Sequence, residues 1–237
     1  MVSDKNTPAY TLHMADGMWL NKSFKNSILQ RIAKCELDGK RYVYSDLGFV
    51  LLQQVVEKVT ELPMDLYLAR EFYAPMGLQR TMFLPLTKFT KAEIMPTASN
   101  DFLRRQDICG YVHDETAACM GGVSGNAGLF STAEEVAKVY QMLLNGGEFN
   151  GKRFLSEATC RLFTTEKSAI SRRGLGFDKP DVSIVKRSLV LLPLRKRYMD
   201  IPDLPVLVLG WTRKTRRCMY SSATACAPMY GTRNWVT

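Results

Sequence analysis

Residues 121–134 read Gly-Gly-Val-Ser-Gly-Asn-Ala-Gly-Leu-Phe-Ser-Thr-Ala-Glu, a glycine-rich loop followed by the start of a helix. Ser131 and Glu134 have the spacing of a capping box. The apolar residues that follow recur at helical intervals, at Val136, Val139, Tyr140, Leu143 and Leu144. The loop lacks the Gly-Lys-Ser/Thr of a phosphate loop and the dinucleotide-binding fingerprint, so we expect its glycines to allow close backbone packing.

The chain before this loop predicts three helices and a long irregular region. Residues 21–37 have apolar positions at helical spacing between lysines and arginines, which is typical of an amphipathic surface helix. Over 47–59, apolar side chains cover most of the circumference, which predicts a central helix with Ser45 as its N-cap. A further helix is predicted over 64–73, and the region 77–107 is an irregular stretch of the kind that often lines a binding cleft.

The composition indicates a folded globular chain. Its 237 residues are 46% hydrophobic and 23% charged, which excludes intrinsic disorder and collagen-like structure. The longest apolar runs, 189–194 and 204–209, are far shorter than the ~20 residues that cross a bilayer. No stretch near residue 1 resembles a signal peptide, so we predict neither a membrane span nor an export signal within this sequence.

The net charge of +9 lies almost entirely in one part of the chain. Residues 181–237 hold 10 of the 32 Lys and Arg residues but only 3 of the 23 Asp and Glu residues. A basic tail can bind nucleic acid. This one has neither a glycine-rich stacking motif nor metal-finger spacing, so we expect no nucleic-acid partner.

The six cysteines form no C-x-x-C pair. This removes the main support for a zinc ribbon or a thioredoxin-like redox site. Free thiols in the protein interior are the interpretation that remains, and we predict neither a metal nor an organic cofactor.

Four segments follow one another in an order that resembles a known family: Tyr44-Ser45-Asp46-Leu47-Gly48, Phe72-Tyr73-Ala74-Pro75-Met76-Gly77-Leu78, Gly110-Tyr111-Val112-His113-Asp114-Glu115, and Gly121-Gly122 with Ala127-Gly128-Leu129-Phe130-Ser131-Thr132. Together they resemble the serine hydrolases of the class C β-lactamase and penicillin-binding-protein type. They are more closely similar to the β-lactamase-related domain that follows a family-3 glycoside hydrolase domain in some bacteria. The resemblance runs from about Trp19 to Asp181.

The resemblance implies a mixed α/β fold of the α+β, transpeptidase-like type, with an antiparallel sheet flanked by helices, an all-helical lobe and a cleft between the two. It also implies acyl transfer through a serine ester. In the family, a Ser of an S-x-x-K turn attacks a carbonyl, a Lys and a Tyr move protons, and a K-T-G or H-T-G strand holds the substrate.

The resemblance carries over to few residues of this chain. Tyr44 matches the tyrosine of the family's Y-x-N motif, whose phenol exchanges a proton with the nucleophile. Asp46 stands where the motif has Asn. An ionised carboxylate only accepts hydrogen bonds, whereas Asn also donates, so this departure argues against true β-lactamase activity. Ser45 and His113 complete the candidate set, and because no mechanism requires His113, a hydrogen-bonded structural role is the alternative for it.

The nucleophile motif is not found before Tyr44. Only 43 residues precede it, and none of the serines among them has Lys three positions later. The one S-x-x-K match, Ser183 to Lys186, lies in the wrong order and is expected by chance. We therefore expect a partial domain over 1–180 that is incomplete at both ends.

Residues 181–237 are expected to be a basic tail that is frameshifted or unstructured. The resemblance stops where the family would supply its H-T-G strand. The codons of 199–213 can be read in another frame, in which the last base of each codon joins the first two bases of the next. In that frame the Met199–Asp200 junction can encode only Gly, and the Trp211–Thr212 junction only Asp. The junctions from Asp200 onward permit H-T-G-F-T-G-T-C-V-W-V-D-P, which resembles the missing strand and its continuation.

These observations leave three functional hypotheses open. The first is a β-lactamase-like serine hydrolase, inactive as this chain, whose intact relatives act on an ester, a D-amino-acid peptide or a β-lactam. The second is a non-catalytic relative that binds cell-wall peptide or glycan ligands, and the third is a basic-tailed phosphate or nucleic-acid binder. The expected partners are a small-molecule or peptide substrate and a fused or neighbouring glycoside hydrolase. Relatives are generally exported. We also expect low solubility, because missing neighbours would expose apolar faces of the 47–59 helix.

Overall fold

The computed structural model describes residues 2–36, 42–165, 168–171 and 174–177, together with strands between 198 and 222. The helices are α1 (Ser23–Ala33), α2 (Leu47–Thr60), α3 (Met64–Leu68), α4 (Glu115–Cys119), α5 (Ala133–Leu144) and α6 (Glu157–Thr164). The strands are β1 (Val2–Ser3), β2 (Tyr10–Ala15), β3 (Met18–Asn21), β4 (Pro96–Ala98), β5 (Ile108–Cys109), β6 (Glu148–Phe149), β7 (Lys152–Arg153), β8 (Tyr198–Met199), β9 (Leu207–Thr212) and β10 (Arg217–Ser222). Helices and antiparallel sheets coexist, which agrees with the expected mixed α/β class.

The first sheet has the order β1-β3-β2, with both pairs antiparallel. Its inner side carries Met14 and Leu20, which are buried against Val112, Ala117 and Ala118 from the segment around α4. Two short hairpins, β4-β5 and β6-β7, follow along the chain. The first sheet is therefore packed directly against the turn of chain that leads into the glycine-rich loop.

The helix α2 is not the central helix that its composition predicts. Only Val50 and Gln53 on it are buried, and Val50 packs with Ile32 of α1 and Met120. Five large apolar side chains of α2 are exposed instead: Phe49, Leu51, Leu52, Val55 and Val59. The prediction of a central position is wrong because, among the residues that the structure describes, packing partners bury one face of this helix and leave the others exposed. The expected exposure of its apolar faces is confirmed.

The start of α5 differs by one residue from the predicted capping box. Thr132, not Ser131, is the N-cap, and its hydroxyl accepts a hydrogen bond from the Glu135 amide at 3.3 Å. The Ser131 hydroxyl lies 2.7 Å from that of Thr81. The backbone bridge between Met82 and Phe130 keeps the chain extended as far as this point, so the helix begins one residue later.

The other boundaries follow the sequence patterns closely. The helix predicted over 64–73 is α3, which continues as one π-helical segment over Ala69–Tyr73. The region 77–107 contains only short 3-10 turns and β4. Among the described residues, no helix has the length and apolar character needed to cross a membrane.

Within residues 181–237, the described strands form a three-stranded antiparallel sheet in the order β10-β9-β8. The S-x-x-K match at 183–186 and the apolar run 189–194 lie outside the described residues. The division into a domain over 1–180 and a frameshifted or unstructured tail stays a prediction.

Candidate functional site

The three residues Tyr44, Ser45 and Asp46 lie together at the N-terminus of α2. Tyr44 and Ser45 are exposed, and Asp46 is half-buried. Leu47, the first residue of the helix, packs against the cluster formed by Ile32, Val50 and Met120. The segment is therefore anchored by a buried contact directly after it, while its polar side chains face solvent.

Asp46 is the N-cap of α2, one residue later than the predicted cap. Its carbonyl accepts hydrogen bonds from the amides of Phe49 and Val50, at 3.0 and 3.2 Å. Its carboxylate makes no capping bond, whereas the Ser45 hydroxyl accepts from the Leu47 amide at 3.3 Å. The carboxylate of Asp46 thus lies beside the positive end of the helix dipole, where negative charge is stabilised.

The glycine-rich loop lies against this end of α2. A Cβ at Gly125 would come within 2.1 Å of the Phe49 carbonyl oxygen, and a Cβ at Gly128 within 2.3 Å of the Gly122 carbonyl oxygen. The side-chain amide of Gln53 donates to the Val123 carbonyl at 3.2 Å. The prediction that these glycines serve close backbone packing is confirmed, because any side chain at Gly125 would force the loop away from the helix.

A polar chain links this loop to α4. The Ser124 hydroxyl donates to Asn126 Oδ1 at 2.7 Å, and Asn126 Nδ2 donates to Asp114 Oδ1 at 3.1 Å. Asp114 is the N-cap of α4 and also accepts from the Ala117 amide at 2.6 Å. The Gly110–Glu115 and Gly121–Thr132 segments therefore form one hydrogen-bonded unit with α2.

His113 is next to Asp114 but is not brought to Tyr44 by any hydrogen bond of the described residues. Its side chain is exposed, and the hydrogen-bonded structural role considered for its imidazole is not observed. The backbone at Val112 and His113, in contrast, is held in place, because the Arg104 guanidinium donates hydrogen bonds to both carbonyls.

Arg104 is itself held by a buried ion pair that the sequence analysis missed. Its Nε and Nη2 atoms each lie 2.8 Å from a different oxygen of Asp101, and both side chains are almost fully buried. The hydrogen bond from Arg104 lowers the pKa of Asp101 to about 2. An Asp-x-x-Arg spacing with Arg near an apolar segment is the one local signal that could have indicated this pair.

A second missed cluster joins the turn after β2 to distant parts of the chain. The Tyr111 hydroxyl lies 3.1 Å from His13 Nε2 and 3.0 Å from Asp16 Oδ1, and Lys91 also pairs with Asp16. The His13 ring stacks on Trp19 with centroids 3.8 Å apart. No local pattern connects these residues, because Tyr111 is 95 positions from Asp16.

The pKa shifts within this cluster indicate a structural role and not a role in proton transfer. The hydrogen bond from Lys91 lowers the pKa of Asp16, burial lowers the pKa of His13, and burial together with the bond to Asp16 raises the pKa of Tyr111. Tyr111 therefore stays protonated at neutral pH and donates to Asp16. Within the part of the chain that the structure describes, no group of three or more His, Cys, Asp or Glu side chains could hold a metal ion.

Comparison with known proteins gives one family. The family model described as Beta-lactamase matches residues 7–179. A Salmonella agona protein named as a D-alanyl-D-alanine carboxypeptidase is 34% identical over 185 residues, which cover 72% of this chain and 43% of the relative. A protein of the same name from Escherichia coli K12 is 36% identical over 168 residues, covering 65% of this chain and 39% of the relative. The chain thus spans less than half the length of these relatives.

Solved structures agree at the level of the fold. A Bacteroides dorei protein described as a β-lactamase has 12% identity and a TM-score of 0.56, over 84% of this chain and 56% of its own. A penicillin-binding protein from Bacillus halodurans has 16% identity and a TM-score of 0.53, over 80% of this chain and 53% of its own. The expected transpeptidase-like fold is confirmed, and at these identities the likeness concerns the fold alone.

Proposed function

Because this chain belongs to the β-lactamase family of serine hydrolases, we propose that it retains the proton-transfer side of an acyl-serine site and that, as this sequence stands, it does not turn over. The observation that carries the proposal is the placement of Tyr44-Ser45-Asp46 at the start of α2, a helix whose first turns pack against the glycine-rich loop. The role of Tyr44 follows from its match to the family motif.

In an acyl-serine reaction, Tyr44 would accept one proton and pass it on. A serine hydroxyl attacks the substrate carbonyl, its proton passes to a nearby base, and the leaving group then takes up a proton. An exposed phenol can serve as such a relay, because its hydroxyl both donates and accepts hydrogen bonds. The serine that would be acylated is not among the candidates before Tyr44.

Asp46 bears on the substrate class. Its carboxylate can accept a hydrogen bond from a substrate N–H but cannot donate one to a substrate carbonyl, as the Asn of the motif can. The departure therefore argues against true β-lactamase activity in this chain, and an ester or a D-amino-acid peptide remains for its intact relatives. The carboxypeptidase names of the two bacterial relatives support a D-amino-acid peptide.

The expected inactivity rests on chemistry. Removing the nucleophile of a serine hydrolase costs about 10⁶-fold in kcat. None of the serines before Tyr44, which are Ser3, Ser23 and Ser27, has the Lys three positions later that the S-x-x-K motif requires. A site without a nucleophile cannot form an acyl-enzyme.

Hydrolysis assays with three substrates test this proposal: nitrocefin, p-nitrophenyl acetate and a D-Ala-D-Ala peptide. In a separate experiment, a fluorescent penicillin tests whether any serine becomes covalently labelled. The expected result is hydrolysis at the buffer rate and no labelled band, with the E. coli relative as the positive control. Stoichiometric labelling of a serine of this chain, located by mass spectrometry, would contradict the proposed inactivity.

The alternative function is non-catalytic binding of cell-wall peptide or glycan ligands, which the exposure of Tyr44 favours. Calorimetric titration with a D-Ala-D-Ala peptide and with cell-wall glycan fragments distinguishes it. Tyr44→Ala should weaken binding at least tenfold, whereas Tyr42→Ala, which removes a neighbouring phenol that is 46% exposed against 55% for Tyr44, should leave it unchanged. Equal losses in both variants would exclude a specific role for Tyr44.

A further inference from the structure

The hairpin formed by β6 and β7 turns on an Asn-Gly step. Its register pairs Phe149 directly with Lys152, so Asn150 and Gly151 alone make the turn. Both turn residues have positive φ, at 49° and 74°. This is the conformation of a two-residue type I′ turn, in which Asn-Gly is favoured. The side chain of Asn150 is exposed, and a Cβ at Gly151 would meet no heavy atom of the described residues within 4 Å.

An Asn-Gly step carries a nucleophile and an electrophile on neighbouring residues. The backbone nitrogen of the glycine can attack the side-chain amide carbon of the asparagine and close a five-membered ring. Because glycine has no Cβ, its own side chain does not hinder this approach. A hydrogen bond from the N–H slows the attack, since the nitrogen must lose its proton before it becomes nucleophilic. The hydrogen bonds and exposure of each Asn-Gly step therefore decide how fast it reacts in the folded chain.

The Gly151 amide meets these requirements. Among the residues that the structure describes, no hydrogen bond involves its nitrogen. The ladder of the hairpin is made by the flanking residues, Phe149 and Lys152, and not by the turn itself. Rotation of the peptide between residues 150 and 151 therefore needs only a local opening at the surface, where such openings cost little free energy.

The other Asn-Gly step of the sequence, Asn145-Gly146, is immobilised. The Gly146 amide donates to the Leu143 carbonyl at 3.1 Å, at the end of α5. Asn145 Oδ1 accepts from Gln141 Nε2 at 3.0 Å. A Cβ at Gly146 would also lie 3.1 Å from the Glu157 side chain, so the backbone is enclosed there. Both reacting groups of this second step are held by hydrogen bonds, which makes it an internal control for the hairpin turn.

We propose that Asn150 is a site of spontaneous modification, at which the chain converts asparagine into aspartate and isoaspartate. The Gly151 nitrogen gives up its proton to hydroxide and forms a bond to Asn150 Cγ. The Cγ–Nδ2 bond breaks, and Nδ2 takes up a proton from water and leaves as ammonia. One water molecule then opens the resulting succinimide. Cleavage of the new N–Cγ bond gives aspartate, whereas cleavage between the nitrogen and the backbone carbonyl carbon of residue 150 gives isoaspartate, whose main chain runs through Cγ.

Isoaspartate changes the hairpin more than the new charge does. Both products add one carboxylate, but isoaspartate also inserts one methylene carbon into the main chain. The length of a hairpin turn fixes the register of its strands, so the longer path disturbs the pairing of Phe149 with Lys152. Phe149 packs against the buried cluster of Met76, Leu78 and Met142. The modification therefore reaches from an exposed turn to the packing beside α5.

Peptide mapping of the folded full chain tests the proposal. The chain is incubated for several weeks at neutral pH in water labelled with heavy oxygen, so that acid formed during the incubation is distinguished from acid already present. Labelled acid should appear at residue 150 at least tenfold faster than at residue 145. The rate at 150 should rise with pH, because loss of the amide proton precedes the attack. In urea, where neither step is held by the fold, the two rates should be similar.

Two variants separate the chemistry from its consequence. Asn150→Gln should abolish the modification at 150 and leave the slow conversion at 145 unchanged, because the longer side chain would have to close a six-membered ring. Asn150→Asp carries the charge of the products on an unaltered main chain. Its melting temperature should stay close to that of the parent, whereas the isoaspartate-containing fraction of the aged protein, separated by chromatography, should melt at a lower temperature.

Either of two results would overturn the proposal. Conversion at 145 as fast as at 150 in the folded chain would mean that modification follows general unfolding and not the open turn. No conversion at 150 over a period in which the urea-unfolded chain converts would mean that the hairpin keeps the Gly151 nitrogen away from Asn150 Cγ.

Discussion

Three donors surround the carboxylate of Glu135, which is buried at the N-terminal end of α5. The amides of Gln79 and Arg80 and the hydroxyl of Thr81 donate to it at 2.6 to 3.1 Å. Burial alone would raise the pKa of Glu135, but these hydrogen bonds outweigh burial and lower it. The carboxylate thereby fixes the loop that leads to the Met82–Phe130 bridge.

Glu135→Ala should lower the free energy of unfolding by about 2–4 kcal/mol, because several buried donors lose their acceptor. Glu134→Ala is the matched control: its carboxylate is exposed and pairs with Lys138, so the loss should stay below about 1 kcal/mol. Urea unfolding at pH 7 measures both. Similar losses in the two variants would show that the buried bonds of Glu135 contribute nothing specific.

The pH dependence of the same site has a defined sign. The folded-state pKa of Glu135 lies below the ordinary value of 4.5, so its stabilising contribution is complete above pH 4.5 and is lost as the pH falls through the folded-state pKa. Unfolding measured from pH 6 to pH 3 should therefore show a decrease in stability that Glu135→Gln reduces. An unchanged decrease in Glu135→Gln would assign it to other carboxylates.

The ion pair of Asp101 and Arg104 acts at the residue scale as well. Arg104→Met should cost about 3–5 kcal/mol, since Asp101 and two backbone carbonyls would lose their buried donor. Arg161→Met, which breaks an exposed pair with Glu157, should cost less than about 1 kcal/mol. Comparable thermal shifts in both variants would contradict a structural role for the buried pair.

At the scale of elements, the glycine-rich loop packs against the first turns of α2, the helix that follows directly after Tyr44, Ser45 and Asp46. The close approach at Gly125 is possible only without a Cβ, so the loop and the helix form one rigid corner. Tyr44 and Asp46 precede the helix at this corner. Gly125 has no side chain of its own to contribute, yet it fixes how closely the loop approaches the helix.

Gly125→Ala tests this corner. The added methyl would overlap the Phe49 carbonyl, and we expect a loss of about 2 kcal/mol or more, because backbone on both sides must shift. Gly48→Ala is the matched control on the same helix. Open space surrounds Gly48 among the described residues, so Ala there should change stability by at most about 1 kcal/mol, and in the favourable direction.

For the whole molecule, the reading frame after Pro180 is the largest open prediction. We expect the coding DNA of 199–213 to encode Gly-His-Thr-Gly in the shifted frame, in which each codon begins with the last base of the codon given by the sequence. That frame should continue without early stop codons. Resequencing the gene with its flanking bases checks this directly. An alternative frame interrupted by stop codons, or one that does not encode Gly-His-Thr-Gly, would refute the frameshift.

The sequence by itself determined the positions of α1, α2 and α5, which follow from helical periodicity and from signals that neighbouring residues specify. The family and the mixed α/β class followed from the resemblance of four ordered motifs to the β-lactamase-type serine hydrolases. The sequence also indicated that the glycines before α5 serve close backbone packing, because the loop lacks the motifs of a phosphate or dinucleotide site.

Only the tertiary structure decided which faces these helices bury. The apolar circumference of α2 does not reveal that α1 and Met120 cover one side and leave Leu52, Val55 and Val59 exposed. Likewise, the contacts of Glu135 with Thr81 and of Tyr111 with Asp16 join residues 54 and 95 positions apart. Local patterns carry the propensity of a segment, whereas burial and pairing depend on segments that meet only when the chain folds.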